Sequence, residues 1–329
     1  MAPLDHFTRL QRCLAGEPVD RIPVALWRHF PVDDQTPEGL VAAIINFQDS
    51  YDFDFVKVTP ASSYCLRDWG VTDRWEGNPE GTRTYTHYPI QNPEDWEGLP
   101  LLDPERGALG DALKALRLLK KYYDGKVPIL QTIFSPLAQA KNLVGEDRLI
   151  LHLRTAPDAL HIGLKQITET TLAFIDALKS IGVDGIFYAI QHARFSLLAA
   201  SEFAEFGRAY DLRILEAARD FWLNVGHVHG ENIMFEQVRD YPVQILNWHD
   251  QQTPPSLKEA LEQVSVAVCG GLSQWSTMAL GTPEDVRREA FRAIEETQGK
   301  RFVLGTGCVL PIITPHGNIK AACDATIMV

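Results

Sequence analysis

Residues 221–229, Phe221-Trp222-Leu223-Asn224-Val225-Gly226-His227-Val228-His229, form an apolar run that ends in two histidines. Such a run, bounded by turn residues, reads as a buried strand. Similar runs follow at 243–248, 265–270 and 301–306. Helical patterns at 233–239, 257–263 and 283–297 separate them. Strands alternating with helices imply a parallel sheet, because parallel neighbours need a helix-sized crossover.

The same rhythm runs through the upstream half. Apolar runs at 22–27, 53–59 and 127–133 read as strands, and 182–188 leads into another that ends at Gln191-His192. Pro23 stands near the start of the first, where a missing N–H is tolerated. Helical patterns cover 7–14, 39–47, 109–123, two stretches within 147–180 and a long one at 201–220. Eight such units predict a closed (β/α)8 TIM barrel. An open doubly wound sheet is the alternative, but no Gly-x-Gly-x-x-Gly follows the first strand. Residues 61–103 carry Trp69, Trp75 and Trp96 among glycines and prolines, with few aliphatic residues. They are expected to form an insertion between strands two and three, with 82–88 as one arm of a hairpin. The chain, 1–329, is then a single domain.

Composition narrows the classes. The 329 residues carry a formal net charge of -12, with 45% hydrophobic and 22% charged residues. No basic footprint for a nucleic acid is present. No run of 18 apolar residues suggests a membrane span. The first six residues lack the basic start and apolar core of a signal peptide. Five scattered cysteines suit a reduced, cytoplasmic setting.

In such barrels chemistry sits at the C-terminal ends of the strands. The residues just past each strand are Trp27-Arg28-His29, Lys57, Phe134, Gln191-His192, His227-x-His229, Trp248-His249-Asp250, Gln274-Trp275 and Thr306-Gly307-Cys308. Six of the ten histidines (29, 192, 227, 229, 249 and 316) fall at or just after strand ends. His227 and His229 share one face of their strand and can address one metal ion. A catalytic zinc takes three protein ligands and leaves one position open, and Cys308 is the candidate third. Two nitrogens and a sulfur suit Zn²⁺ rather than Mg²⁺ or Ca²⁺. The spacing equally fits a hydrogen-bonded structural pair. Glu231, Asp250 and His249 could supply an outer shell or a fourth ligand, but are expected to be solvated loop groups. Arg28 reads as a carboxylate clamp or a surface ion pair. Trp248 and Trp275 read as pocket walls or core, and Lys57 as the partner of an anion or a neighbouring carboxylate. The candidate substrate-binding set is Trp27, Arg28, His29, Lys57, Gln191, His192, Trp248 and Gln274.

The stretches Gly16-Glu17-Pro18-Val19-Asp20-Arg21-Ile22-Pro23-Val24, Phe53-Asp54-Phe55-Val56-Lys57, Asn247-Trp248, Cys269-Gly270-Gly271-Leu272 and Val303-Leu304-Gly305-Thr306-Gly307-Cys308 together resemble the uroporphyrinogen decarboxylase superfamily. The resemblance implies a (β/α)8 barrel with its active site in the C-terminal cleft. Its decarboxylases carry two arginines after the first strand; Arg28 matches one, while the other falls near Val32. Thr306 stands where they have the histidine of a Gly-His-Gly, and Gln191-His192 where they have a serine. The other branch holds zinc methyltransferases that move a methyl group from a methylated corrinoid protein to coenzyme M or another acceptor. Their pattern, His-x-Cys after strand five and a cysteine after strand eight, is matched by His227 and Cys308, with His229 in place of the first cysteine. The resemblance thus implies Zn²⁺ on His227, His229 and Cys308, a corrinoid methyl donor on a partner protein, a small-molecule acceptor and a homodimer. A carboxy-lyase acting on a porphyrinogen or other polycarboxylate, and a non-catalytic tetrapyrrole-binding barrel, are the alternatives it leaves.

Overall fold

The computed structural model describes residues 2–327. Met1, part of the opening read for a signal peptide, lies outside the described residues. Nine strands form: β1 (Val56–Val58), β2 (Thr72–Arg74), β3 (Thr84–His87), β4 (Ile129–Phe134), β5 (Gly185–Ile190), β6 (Val225–Val228), β7 (Ile245–Trp248), β8 (Ala267–Leu272) and β9 (Phe302–Thr306). Seven of them make one curled parallel sheet in the order β1-β4-β5-β6-β7-β8-β9. β2 and β3 make a separate antiparallel pair.

The expected strand at 22–27 forms no ladder, only a single parallel bridge from Val24 to Leu304. Pro23 has no N–H to give, which shortens any pairing there. The segment is nevertheless held on both sides. Ala25 N–H donates to Leu304 O at 3.0 Å, Leu304 N–H donates to Pro23 O at 2.8 Å, and Asp54 N–H donates to Val24 O at 2.8 Å. It therefore lies between β9 and the start of β1, the two edges of the sheet.

Helices cover the outside of the curl. Gly107–Tyr123 buries Leu109, Leu113, Leu116 and Leu119, the spacing of a one-sided helix. Ser135 caps Pro136–Val144 by accepting from Ala138 N–H. The pattern read as one helix at 201–220 is three pieces: Ala200–Phe203, a π turn at Ala204–Arg208, and Ala209–Ala217. Glu202 reaches back to Ala199 N–H at 2.8 Å to start it. Inside the curl lies a second apolar cluster, with Trp27, Phe55, Leu130, Phe187, Val225 and Val303 among its members. Among the described residues, no helix is long and apolar enough to cross a membrane.

Candidate metal centre

Strand register sets the site. β6 and β7 pair with His227 opposite Asn247. His227 Nδ1 lies 2.7 Å from Asn247 Oδ1. Asn247 Nδ2 donates to Cys269 O at 2.9 Å and to Thr306 O at 3.0 Å. Carbonyls only accept, so the amide nitrogen must face them and its oxygen must face the ring. His227 therefore carries its proton on Nδ1 and presents the Nε2 lone pair, 3.9 Å from Cys308 Sγ.

His229 Nδ1 lies 3.6 Å from the same sulfur. His249, just past β7, joins them. Its ring centroid is 5.0 Å from that of His229 and 6.0 Å from that of His227. Its Nδ1 is 2.8 Å from Gln252 Oε1, an acceptor, which leaves Nε2 as the free lone pair. One ligand-capable atom from each of His227, His229, His249 and Cys308 lies within 4.8 Å of the others. Gly307 makes this possible. A Cβ there would sit 2.7 Å from His249 Cα, so only glycine lets the end of β9 run against the end of β7.

Burial, with the neighbouring imidazoles, drives His227 well below the usual histidine range and His229 down to about 3. His249 moves the same way, burial first among the causes. All three are neutral near pH 7, the form that ligates metal. Burial pushes the Cys308 thiol up to about 11. A bound cation reverses that, since a coordinating thiol loses its proton.

The centre opens onto a cavity of about 340 Å³ whose lining includes Trp27, His29, Lys57, Gln191, His227, His229 and Cys308. Lys57 Nζ sits 4.6 Å above the Phe187 ring and 3.2 Å from Thr59 Oγ1. The group it hydrogen-bonds is thus a hydroxyl, not the neighbouring carboxylate considered from the sequence. Burial lowers its pKa to about 7.

Four predicted residues lie outside that lining. Arg28 falls between Trp27 and His29, which face inward, so strand alternation turns it out. Its guanidinium lies 5.3 and 5.0 Å from the Phe30 and Phe47 rings, and Nη1 reaches Ile312 O at 3.4 Å. It does not clamp a carboxylate in the cavity. Trp248 is core rather than wall: fully buried, it donates from Nε1 to Pro255 O and packs on Phe235. His192 is buried with neither ring nitrogen partnered. Gln274 is buried at the start of a π turn, Gln274–Ala279. Asp250 accepts from Gly271 N–H at 3.0 Å and serves the sheet instead of the centre. His316 opens the helix His316–Ala325 and stacks on Tyr51.

The sequence reading passed over other lining residues. Glu80, Thr82, Arg83, Tyr85 and Tyr88, in and beside the β2–β3 pair, form one wall, and Lys141 adds to another. His249 was set aside as a loop group but is buried in the cluster. Its signal was parity: Asn247 and His249 share a face as His227 and His229 do.

The family model described as uroporphyrinogen decarboxylase (URO-D) matches residues 5–327. The methylcobamide:CoM methyltransferase MtbA of Methanosarcina mazei is 23% identical to this chain, over 95% of this chain and 94% of its own. A uroporphyrinogen decarboxylase of Syntrophotalea carbinolica is 27% identical, over 69% of this chain and 67% of its own. A solved methyltransferase from Methanosarcina mazei matches with a TM-score of 0.86 at 22% identity, covering 98% of each chain. At that identity the structural likeness speaks for the fold.

Proposed function

The chain belongs to the uroporphyrinogen decarboxylase family, and from that premise we propose that it is a zinc-dependent methyltransferase. It moves a methyl group between a methylcobalamin-type corrinoid and a thiol or similar acceptor. The carrying observation is the convergence of His227, His229 and Cys308 on the cavity, with the sulfur 3.9 and 3.6 Å from the two ring nitrogens. Those spacings suit zinc: tetrahedral bonds of about 2.0–2.3 Å hold nitrogen and sulfur ligands roughly 3.6 Å apart. Neutral imidazoles and a sulfur are its preferred donors. The anchor of His227 on Asn247 is the outer partner that ligating histidines usually have.

Bound at these residues, zinc supplies Lewis acidity that keeps a thiol acceptor deprotonated near neutral pH. The chain does the remaining work. Trp27 and Phe187 give the cavity an apolar wall that excludes water from a small acceptor. Lys57, on the same wall, offers its amine to an anionic end of that acceptor, whose charge would favour the protonated form over the neutral one that burial promotes. The corrinoid arrives on a separate partner protein, in keeping with the methylcobamide relative. The same proposal closes the sheet through 22–27 into a (β/α)8 barrel of one domain and treats 61–103 as an insertion that walls the cleft. It places the protein in the cytoplasm, consistent with five unbridged cysteines, as a homodimer. The outward turn of Arg28 removes from the cavity the one arginine that the resemblance matched to the decarboxylases' carboxylate clamps.

The test begins with metal analysis of the purified protein. It is then mixed with methylcobalamin and coenzyme M or other small thiols, and loss of the methylcobalamin spectrum is followed. One zinc per chain and thiol-dependent demethylation are expected. His229→Ala and Cys308→Ala should lose stoichiometric zinc and transfer while still unfolding cooperatively. Full zinc content in both variants overturns the assignment. Decarboxylation of uroporphyrinogen would select the carboxy-lyase, and cobalamin binding without turnover the non-catalytic barrel.

A further inference from the structure

We infer, on the zinc reading above, that His249 is a fourth protein ligand, so that the resting centre is closed by three nitrogens and one sulfur. Three independent observations converge on it. The first is a buried lone pair with nowhere else to go. His249 is 7% exposed, and its Nε2 is buried without a hydrogen-bond partner among the described residues. A buried acceptor left unpaired costs on the order of 1–3 kcal/mol, so it calls for a ligand.

The second is orientation. Gln252 Oε1 accepts from Nδ1 at 2.8 Å, as Asn247 Oδ1 does for His227 at 2.7 Å. Two of the three imidazoles thus carry the outer hydrogen bond that fixes a ligating tautomer. His249 is built like His227, not like a solvated loop residue.

The third is backbone. Gly307 lies against His249, with a hypothetical Cβ only 2.7 Å from His249 Cα and 2.9 Å from Trp248 O. That contact delivers Cys308 to the side of the cluster where His249 stands. His249 is absent from the cavity lining, whereas the other three donors belong to it. It would therefore bind from the buried side of the cluster, with the other three donors between it and the cavity.

A centre with four protein ligands has no vacant position. An acceptor must then displace one protein arm or enlarge the coordination number, and either change is visible. With one thiolate among the four ligands, the ion also keeps a net positive charge.

Cobalt(II) substitution tests this without relying on turnover. In the wild type, Co²⁺ should give the intense visible bands of a tetrahedral centre with a sulfur charge-transfer band in the near ultraviolet. Addition of a small thiol should change the visible bands. In His249→Ala, the bands should weaken as water enters. Zinc affinity, measured by chelator competition, should fall by more than the roughly 10–100-fold typical of losing an outer hydrogen-bond partner. Gln252→Ala should lower affinity less and leave the cobalt spectrum tetrahedral. X-ray absorption of the zinc-loaded wild type needs no variant and should fit three imidazoles and one sulfur. An unchanged spectrum and affinity in His249→Ala, or a wild-type shell of two imidazoles, one sulfur and a water, overturns the inference and leaves the zinc reading standing. A wild type that binds neither Zn²⁺ nor Co²⁺ overturns both.

Discussion

The two ends of the curled sheet treat buried polar groups in opposite ways. At the N-terminal end Asp54, with a fully buried side chain, accepts from Arg9 Nη1 at 2.7 Å, Arg21 Nη1 at 2.7 Å, Val24 N–H at 2.7 Å and His6 Nδ1 at 3.0 Å. Asp20 takes two further bonds from Arg9, at 2.8 and 2.9 Å. Its charges and lone pairs are engaged by opposite partners. At the C-terminal end, His249 Nε2 has no partner among the described residues, and the Cys308 sulfur faces two ring nitrogens at 3.6 and 3.9 Å. Unpaired buried groups cost stability, so a fold keeps them where they do something else. The first end ties the 22–27 segment to the start of β1; the second leaves ligand-capable atoms side by side at the cavity.

That contrast is open to direct attack. The largest effect should come from Asp54→Ala, which leaves two guanidinium groups buried beside an empty site. Losing one partner of a buried ion cluster costs about 3–5 kcal/mol, readable from the denaturant midpoint. Zinc affinity of the folded variant should not move; a parallel fall would mean that the two ends are not separable. Asn247→Ala inverts the pattern. It frees the His227 ring and takes the amide donor away from the Cys269 and Thr306 carbonyls, so zinc affinity should drop about 10–100-fold. Its stability loss should be the smaller, about 1–3 kcal/mol.

The smallest effect is with pH. Burial pushes Asp54 up, but His6, Arg21, Arg9 and the Val24 N–H outweigh it and hold its carboxyl below the usual range. Burial pushes His6 down, but Asp54 and Asp52 outweigh it and raise it. A lowered carboxyl stabilises fully above its unfolded pKa, about 3.9, and less as pH falls through its folded value. A raised histidine stabilises fully below about 6.5 and less as pH rises through its folded value. The network should therefore act in full between roughly pH 4 and 6.5. His6→Gln should cost most stability in that window, with the difference from wild type shrinking above it. A difference that stays constant to pH 9 would remove His6 from the network.

Much of this was legible from residue order. The alternation of apolar runs and helical patterns names all seven ladder strands, and 22–27 misses only because Pro23 withholds a donor. Two-residue parity places His227 and His229 on one face, and Cys308 lands beside them. The same parity, applied to Asn247 and His249, would have added the fourth donor; the polar habit of loops hid it. Applied to 27–29, it would have turned Arg28 out of the cleft. The wall built by Glu80, Thr82, Arg83, Tyr85 and Tyr88 was not legible, because the position of a hairpin over a barrel mouth depends on long-range packing.

One carboxamide joins four neighbouring strands: Asn247, on β7, accepts a hydrogen bond from β6 and donates one each to β8 and β9. The Cys269 carbonyl on β8 already turns the amide nitrogen toward itself, and the Thr306 carbonyl adds the second bond once β9 has docked. During synthesis, the full set of bonds behind the imidazole at 227 is therefore complete only after residue 306 has left the ribosome. The support behind His227 is thus completed by the same stretch of chain that brings in the Cys308 sulfur, two residues further on.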